Sequence, residues 1–173
     1  MSLISNVRDD EQYKKFVVIF NRTKERLKLE DSIKEALGLH TSRTSRHLTG
    51  NDRYSPKKLI DASMRDLSTR ARLVEIRVTN DRNLSHLREA MDALRRYIST
   101  EYADDLRDFS TADQRRAFVD RILKSANELL AEGESVLTSI DHLIKDIDQS
   151  GHSMRHVVDC LKLLENKHGS KVV

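Results

Sequence analysis

One apolar stripe with a seven-residue repeat runs from about Ser110 to about Asn166, and no proline interrupts it. Apolar residues dominate heptad positions a, d and e and stay in phase throughout, which predicts helix at nearly every position. Three apolar positions in seven are more than a two-stranded seam requires. The stripe therefore predicts a coiled-coil-like bundle of long helices whose apolar face is covered by the chain's own helices, by other subunits or by both. We favour a continuous helix through Gly133 and Gly151 over a hairpin that turns at either position.

Contacts between subunits are a second expectation from this stripe, because an exposed apolar face of this width drives association. We therefore expect a homo-oligomer. The residues predicted to carry the oligomerisation are Leu129, Val136, Ile140, Leu143, Ile147 and Met154.

The composition favours an all-α protein. Charged residues make up 34% of the 173 residues and aromatic residues 5%, with five glycines, one proline and no tryptophan. This composition is unlike that of a β-sandwich or of an enzyme built on glycine-rich loops. There is no apolar run long enough for a membrane helix and no secretory signal, and a lone cysteine, Cys160, fits a reducing compartment. We expect a cytoplasmic protein of a bacterial host or virus-infected cell, without membrane association.

The N-terminal third has a different character from the rest of the chain. Asp9 to about Phe20 predicts a short helix, although its β-branched run leaves a strand as the alternative. Ser55 followed by Pro56 predicts the start of a long helix. The expected domains are a small basic N-terminal helical region over 1–54 and a long-helix oligomerisation bundle over 55–173.

Two further signals mark helix boundaries in the predicted bundle. The apolar phase shifts near Asn80, which indicates a kink, a stutter or two helices joined there. Ser110, followed by Asp113 three residues later, is the predicted N-cap of the final helix.

Residues 31–50 have the outline of a helix-turn-helix, with an amphipathic helix, a turn at Gly38 and a second, polar helix. In this interpretation Ser42, Arg43, Ser45 and Arg46 face a DNA groove. The alternative is a short helix followed by a polar linker.

Basic residues are concentrated near the N-terminus. Residues 1–58 contain thirteen lysines and arginines against eight acidic residues, and such regions attract nucleic acid through counterion release. A solvated basic loop is the alternative. Two arginines near the start of the final helix extend the candidate set. The predicted nucleic-acid-binding residues are Arg43, Arg46, Arg53, Lys57, Lys58, Arg115 and Arg116.

Motifs that carry catalysis are absent from the sequence, which has no glycine-rich phosphate loop, no HExxH and no GxSxG. His152 and His156 have the spacing of metal ligands on a helix but lack a third partner. Cys160 is predicted to be a small packing residue beside the stripe. We therefore expect neither an enzyme nor a bound metal or cofactor.

The segment from about Arg121 to Gly169 resembles the C-terminal part of the recombination mediator proteins of T4-type bacteriophages. The likeness covers about a quarter of the chain, and an upstream helix over about 59–97 corresponds to the long central helix of that family. This chain departs from the family in an additional N-terminal region and in lacking aromatic residues late in the final helix. The residues that carry the resemblance are Ile144, Ile147, Gly151, Met154, Arg155, Val157 and Leu161.

The resemblance implies a ring-like oligomer that binds single-stranded DNA and assists the loading of a recombinase past a single-strand-binding protein. Two other classes fit the residues as well. A viral assembly protein, such as a small terminase subunit, would place a helix-turn-helix before an oligomerising bundle. A purely structural helical virion or adapter protein would bind no nucleic acid.

Overall fold

The computed structural model describes residues 3–44 and 55–169, and within these ranges all regular structure is helical. The expected all-α class is confirmed. A short 3₁₀ turn, Asp105–Asp108, precedes the fifth helix. The helices are α1 (Leu3–Asp9), α2 (Glu11–Leu27), α3 (Leu29–Thr44), α4 (Pro56–Glu101), α5 (Ala112–Ile122) and α6 (Lys124–Gly169). None of the described helices is long and apolar enough to cross a membrane.

The chain forms two compact units. The first combines the described residues of 1–29 with 78–137, and the second combines 30–77 with those of 138–173. Helices α4 and α6 contribute to both units, whereas the sequence predicted a boundary near residue 54. The difference arises because α1, α2 and α3 are too short to bury their apolar faces alone and pack on the long helices instead.

The first unit holds the larger apolar core. Val7, Phe16 and Leu27 of the N-terminal helices are buried in the same cluster as Leu87 and Met91 of α4. Residues 11–27, including the β-branched run, are helical rather than extended, because one face of this helix is covered by the core.

Asp10 fastens the N-terminal helices to the end of α4. One carboxylate oxygen accepts the Gln12 N–H at 2.7 Å and so caps α2. The other accepts the hydroxyls of Tyr97 at 2.8 Å and Tyr102 at 3.2 Å. Burial opposes the charge of Asp10, but the bonds from Gln12, Tyr97 and Tyr102 outweigh it and lower the pKa of Asp10.

The Asp10–Tyr97 bond predicts a loss of stability in alkali. The hydrogen bond to Asp10 raises the pKa of Tyr97 to about 12, above the ordinary value of about 10. Because the unfolded phenol ionises first, this stabilisation is complete below about pH 10 and is lost as the pH rises towards 12. Tyr97→Phe should flatten the decline of the urea midpoint over this window, whereas Tyr13→Phe should not. An equally steep decline in Tyr97→Phe would contradict the assignment.

Gly133 permits close approach of α6 to α4. A Cβ atom at this position would lie 2.6 Å from Leu84 Cδ2, and Leu84 is itself fully buried. The glycine at a heptad a position is therefore explained by packing. As expected, α6 is continuous through both Gly133 and Gly151.

The beginning of the predicted final helix is different in the structure. The chain from Ala112 forms a separate helix that ends at Ile122, because its C-cap Leu123, with φ of −90° and ψ of 10°, leaves the helical conformation. Thr111, rather than Ser110, is the N-cap, and its hydroxyl accepts the Gln114 N–H at 3.2 Å. The phase shift near Asn80 produces no break, because α4 is one helix from Pro56 to Glu101. Pro56 begins this helix as predicted.

The second unit has a smaller apolar core and a cluster of ionised side chains. Its buried apolar residues are Ala36, Leu59, Leu73, Ile76, Ile140, Ile144 and Ile147. Arg43 joins this core and donates to Asp66 at 2.8 Å and to Asp146 at 2.9 Å. His40 also contacts Asp146, at 2.8 Å. The bonds from His40 and then Arg43 lower the pKa of Asp146 despite its partial burial.

The predicted helix-turn-helix is wrong at its turn. Helix α3 continues through Gly38 from Leu29 to Thr44. Glycine weakens a helix by only about 1 kcal/mol, and the burial of Ala36 and Arg43 on one side of α3 offsets this. Residues 45–50 of the proposed second helix lie outside the described residues.

Gly38→Ala distinguishes a continuous helix from a turn. A Cβ at Gly38 meets nothing within 4 Å, so alanine should stabilise α3 and raise the free energy of unfolding by about 0.5–1 kcal/mol. A turn that required a left-handed glycine would instead be weakened by alanine. Chemical denaturation of the two proteins measures the sign, and a lower stability of Gly38→Ala would contradict the continuous helix.

Candidate nucleic-acid interface

A cleft of about 400 Å³ in the first unit is lined by four arginines. Arg95 comes from the last turns of α4, Arg107 from the 3₁₀ turn, and Arg115 and Arg116 from α5. Three consecutive segments of the chain thus bring guanidinium groups to one concave surface. Guanidinium groups bind phosphate through paired hydrogen bonds, so this surface is the strongest candidate for contact with a polyanion.

Local apolar contacts hold these three segments together. Leu106 is buried and anchors the 3₁₀ turn, and Phe118 and Val119 of α5 are buried as well. Phe109 packs on Phe118 with ring centroids 5.2 Å apart. Val119 follows Arg115 and Arg116 by one helical turn and lies on the same face of α5. All three line the cleft, with Val119 buried and the two arginines exposed.

The four arginines differ in how strongly the protein itself neutralises them. Arg95 donates to Asp92 and Asp120, both at 3.2 Å, and to Asn127 at 3.1 Å. Arg107 pairs with Asp104 at 2.9 Å. Both are therefore already engaged by carboxylates and contribute mainly to the shape of the cleft.

Arg115 and Arg116 have no carboxylate partner among the described residues. The Nε–H of Arg115 donates to the Phe109 carbonyl at 3.3 Å, which orients its guanidinium and leaves the terminal nitrogens for a ligand. Arg116 makes no hydrogen bond or ion pair within the described part of the chain. These two adjacent cations are the part of the cleft best suited to bind phosphate.

Among the described residues, the other predicted nucleic-acid-binding residues do not line this cleft. Arg43 is only 9% exposed and is held by two carboxylates. The prediction that Arg43 contacts phosphate is wrong, because its guanidinium donates hydrogen bonds to Asp66 and Asp146 instead. Lys57 and Lys58 are exposed at the start of α4 in the second unit. Arg46 and Arg53 lie outside the described residues.

The residues predicted to carry oligomerisation are mostly occupied within the chain. Leu129 is buried and Val136 is partly buried in the first core. Ile140 and Ile147 are buried in the second unit, and Leu143 and Met154 are partly buried, as Val136 is. The chain's own helices therefore cover most of the predicted seam. The buried positions, which the sequence assigned to subunit contacts, belong to the cores of the chain itself.

Sequence reasoning missed Arg95 and Arg107. Both lie near the acidic segment 101–108, which the apolar pattern marks only as a helix end. The turn that joins α4 to α5 brings Arg95 and Arg107 near Arg115, and a heptad pattern contains no signal for that turn. The Thr111 cap, once recognised, would have indicated that a new helix begins there.

No cluster of three or more metal-ligating residues is found within 3–44 and 55–169. Cys160 is exposed, so the expectation that it packs beside the stripe is wrong. Comparison of the chain with protein-family models, with curated proteins and with solved structures gives no match.

Proposed function

We propose that this chain is a non-enzymatic DNA-binding protein that binds the phosphates of single-stranded DNA at the α5 arginines. The observation that supports this most directly is the pair Arg115 and Arg116, which are exposed, adjacent and without carboxylate partners among the described residues. The proposal includes the wider role that the sequence resemblance implies. In that role a cytoplasmic homo-oligomer of a phage-infected bacterium assists a recombinase in displacing a single-strand-binding protein.

The expected mode of binding is contact with phosphate rather than with bases. Tyr97 and Tyr102 are hydrogen-bonded to Asp10, and Phe118 is buried. Few aromatic rings therefore remain near the cleft as platforms for base stacking. Phosphate contacts carry little sequence information, so binding should vary little with base sequence and should weaken steeply with salt.

The small-terminase alternative has less support than it had from sequence alone. That function requires a recognition helix set off by a turn, and α3 has no turn at Gly38. The purely structural alternative remains a distinct outcome, in which neither single-stranded nor duplex DNA is bound.

Fluorescence anisotropy with a labelled single strand tests the proposal. Replacing Arg115 and Arg116 together by Gln removes two phosphate contacts and should weaken binding roughly tenfold at low salt. The matched control replaces Lys14 and Lys15 by Gln. These are two adjacent exposed cations of α2 in the same unit, and this variant should bind DNA as the wild type does. Equal affinity of both variants would refute the site, and a preference for one duplex sequence would refute the mode of binding.

A further inference from the structure

An apolar groove in the second unit is exposed, although most of the chain's apolar stripe is covered. It has a volume of about 580 Å³ and lies between the start of α4 and the later part of α6. On α4, Ile60 is 64% exposed, Met64 63% and Leu67 59%. Their spacing of four and three residues places them on one face of the helix. We infer that this face binds a second copy of the chain through two antiparallel α4 segments.

The groove runs along one side of this α4 face and leaves room for side chains of a helix that packs on the face. Its second wall is formed by α6, where Met154 and Val158 are half-buried. A Cβ atom added to Gly151 on the same wall would meet nothing within 4 Å. The glycine leaves space that a side chain of an incoming helix can enter. Burial of large apolar residues at roughly 25 cal/mol per Å² is the driving force for such packing.

The charged residues beside this apolar face of α4 indicate that the partner is a second copy of the chain. Asp61 and Arg65 are exposed on the side of α4 away from α6, and neither makes an ion pair within the described residues. In an antiparallel two-fold pair, placing Ile60 against the other copy's Leu67 puts each Asp61 within one residue of the other copy's Arg65. The two-fold axis then repeats each apolar contact and each Asp61–Arg65 ion pair once, as in any isologous interface.

A parallel arrangement does not have this complementarity. In a parallel two-fold pair, the flank of α4 that carries Asp61 and Arg65 faces the opposite flank of the other copy, so the two charges do not meet across the seam. The charge pattern therefore specifies both the partner and its direction. This surface includes Met154 of the predicted oligomerisation residues, but it is centred on α4 and not on the heptad stripe of α6, where Ile140 and Ile147 are buried.

Sedimentation velocity over a range of protein concentrations tests the pairing. Met64→Asp introduces two charges at the two-fold axis and should weaken association by about a hundredfold. The matched control is Val18→Asp. Val18 is 64% exposed, close to the 63% of Met64, but it lies in the first unit. This control should associate as the wild type does. Both positions are exposed, so circular dichroism should show the fold unchanged in both variants.

Charge exchange tests the direction. Asp61→Arg and Arg65→Asp should each weaken association about tenfold, and the double variant should recover the wild-type constant because each reversed residue meets a reversed partner. A wild-type chain that stays monomeric at roughly 100 µM, above the range expected for a small interface, would overturn the proposal. So would Met64→Asp with unchanged association, or a double variant as weak as the singles.

This inference deepens the self-association included in the proposed function, and the two can fail separately. The double variant Arg115→Gln, Arg116→Gln should lose DNA affinity but still form the dimer, because both substitutions lie in the first unit. A dimer that persists without DNA binding would leave the pairing intact and remove the function.

Discussion

Ile140→Asp should lower the free energy of unfolding by at least about 4 kcal/mol, because it places a carboxylate with no partner in a core. Ile140 is fully buried in the second unit. Since the chain's own helices cover this residue, the loss should be independent of protein concentration. Urea denaturation of the variant and the wild type at two concentrations that differ by about a hundredfold measures the loss at each concentration. For a residue at a subunit seam, the difference between variant and wild type would itself change with concentration.

Leu37→Asp is the matched control for this substitution. Leu37 is also an apolar residue of a helix in the second unit, but it is half exposed, so its replacement should change the stability by less than about 1 kcal/mol. If Ile140→Asp proved as mild as the control, the position of Ile140 in the core would be wrong.

Arg43→Ala should lower the stability by about 3 kcal/mol. The arginine side chain is 5% exposed and neutralises Asp66, which is 13% exposed. Removing one member of a buried ion pair leaves the other charge without compensation, and this is far more damaging than the net value of the pair. Calorimetric or chemical unfolding measures the difference from the wild type.

A second arginine with two carboxylate partners provides the comparison. Arg72 pairs with Glu35 and Glu75, both at 2.7 Å, but its side chain is 46% exposed. Arg72→Ala should therefore change the stability far less than Arg43→Ala does, because solvent screens an exposed ion pair. Equal effects of the two substitutions would show that Arg43 is not held in a buried pair.

The fold class could be predicted from the sequence because it depends on periodicity and on local caps. The heptad pattern identified α6, and Ser55–Pro56 identified the start of α4. The break at Leu123 could not be predicted, because the apolar phase continues across it while the backbone turns. The distribution of α4 and α6 over two units also depends on contacts far apart in the chain, to which periodicity is insensitive.

The candidate site was predicted only in part, for a related reason. Arg115 and Arg116 were found as cations at a helix start. Arg43 looked equivalent in sequence, but tertiary contacts bury it against two acidic residues from distant segments. Charge patterning identifies cations, whereas the placement of Asp66 and Asp146 determines which of them remain available for a ligand.

The salt dependence of binding to single-stranded DNA measures whether Arg115 and Arg116 contact phosphates. Each phosphate contact contributes about 0.7 to the slope of log affinity against log salt for a single strand. Replacing Arg115 and Arg116 by Gln should therefore reduce the magnitude of the slope by about 1.4 relative to the wild type, while replacing Lys14 and Lys15 should leave it unchanged. If the slope stays the same when both α5 arginines are replaced, these arginines do not contact the phosphates of DNA.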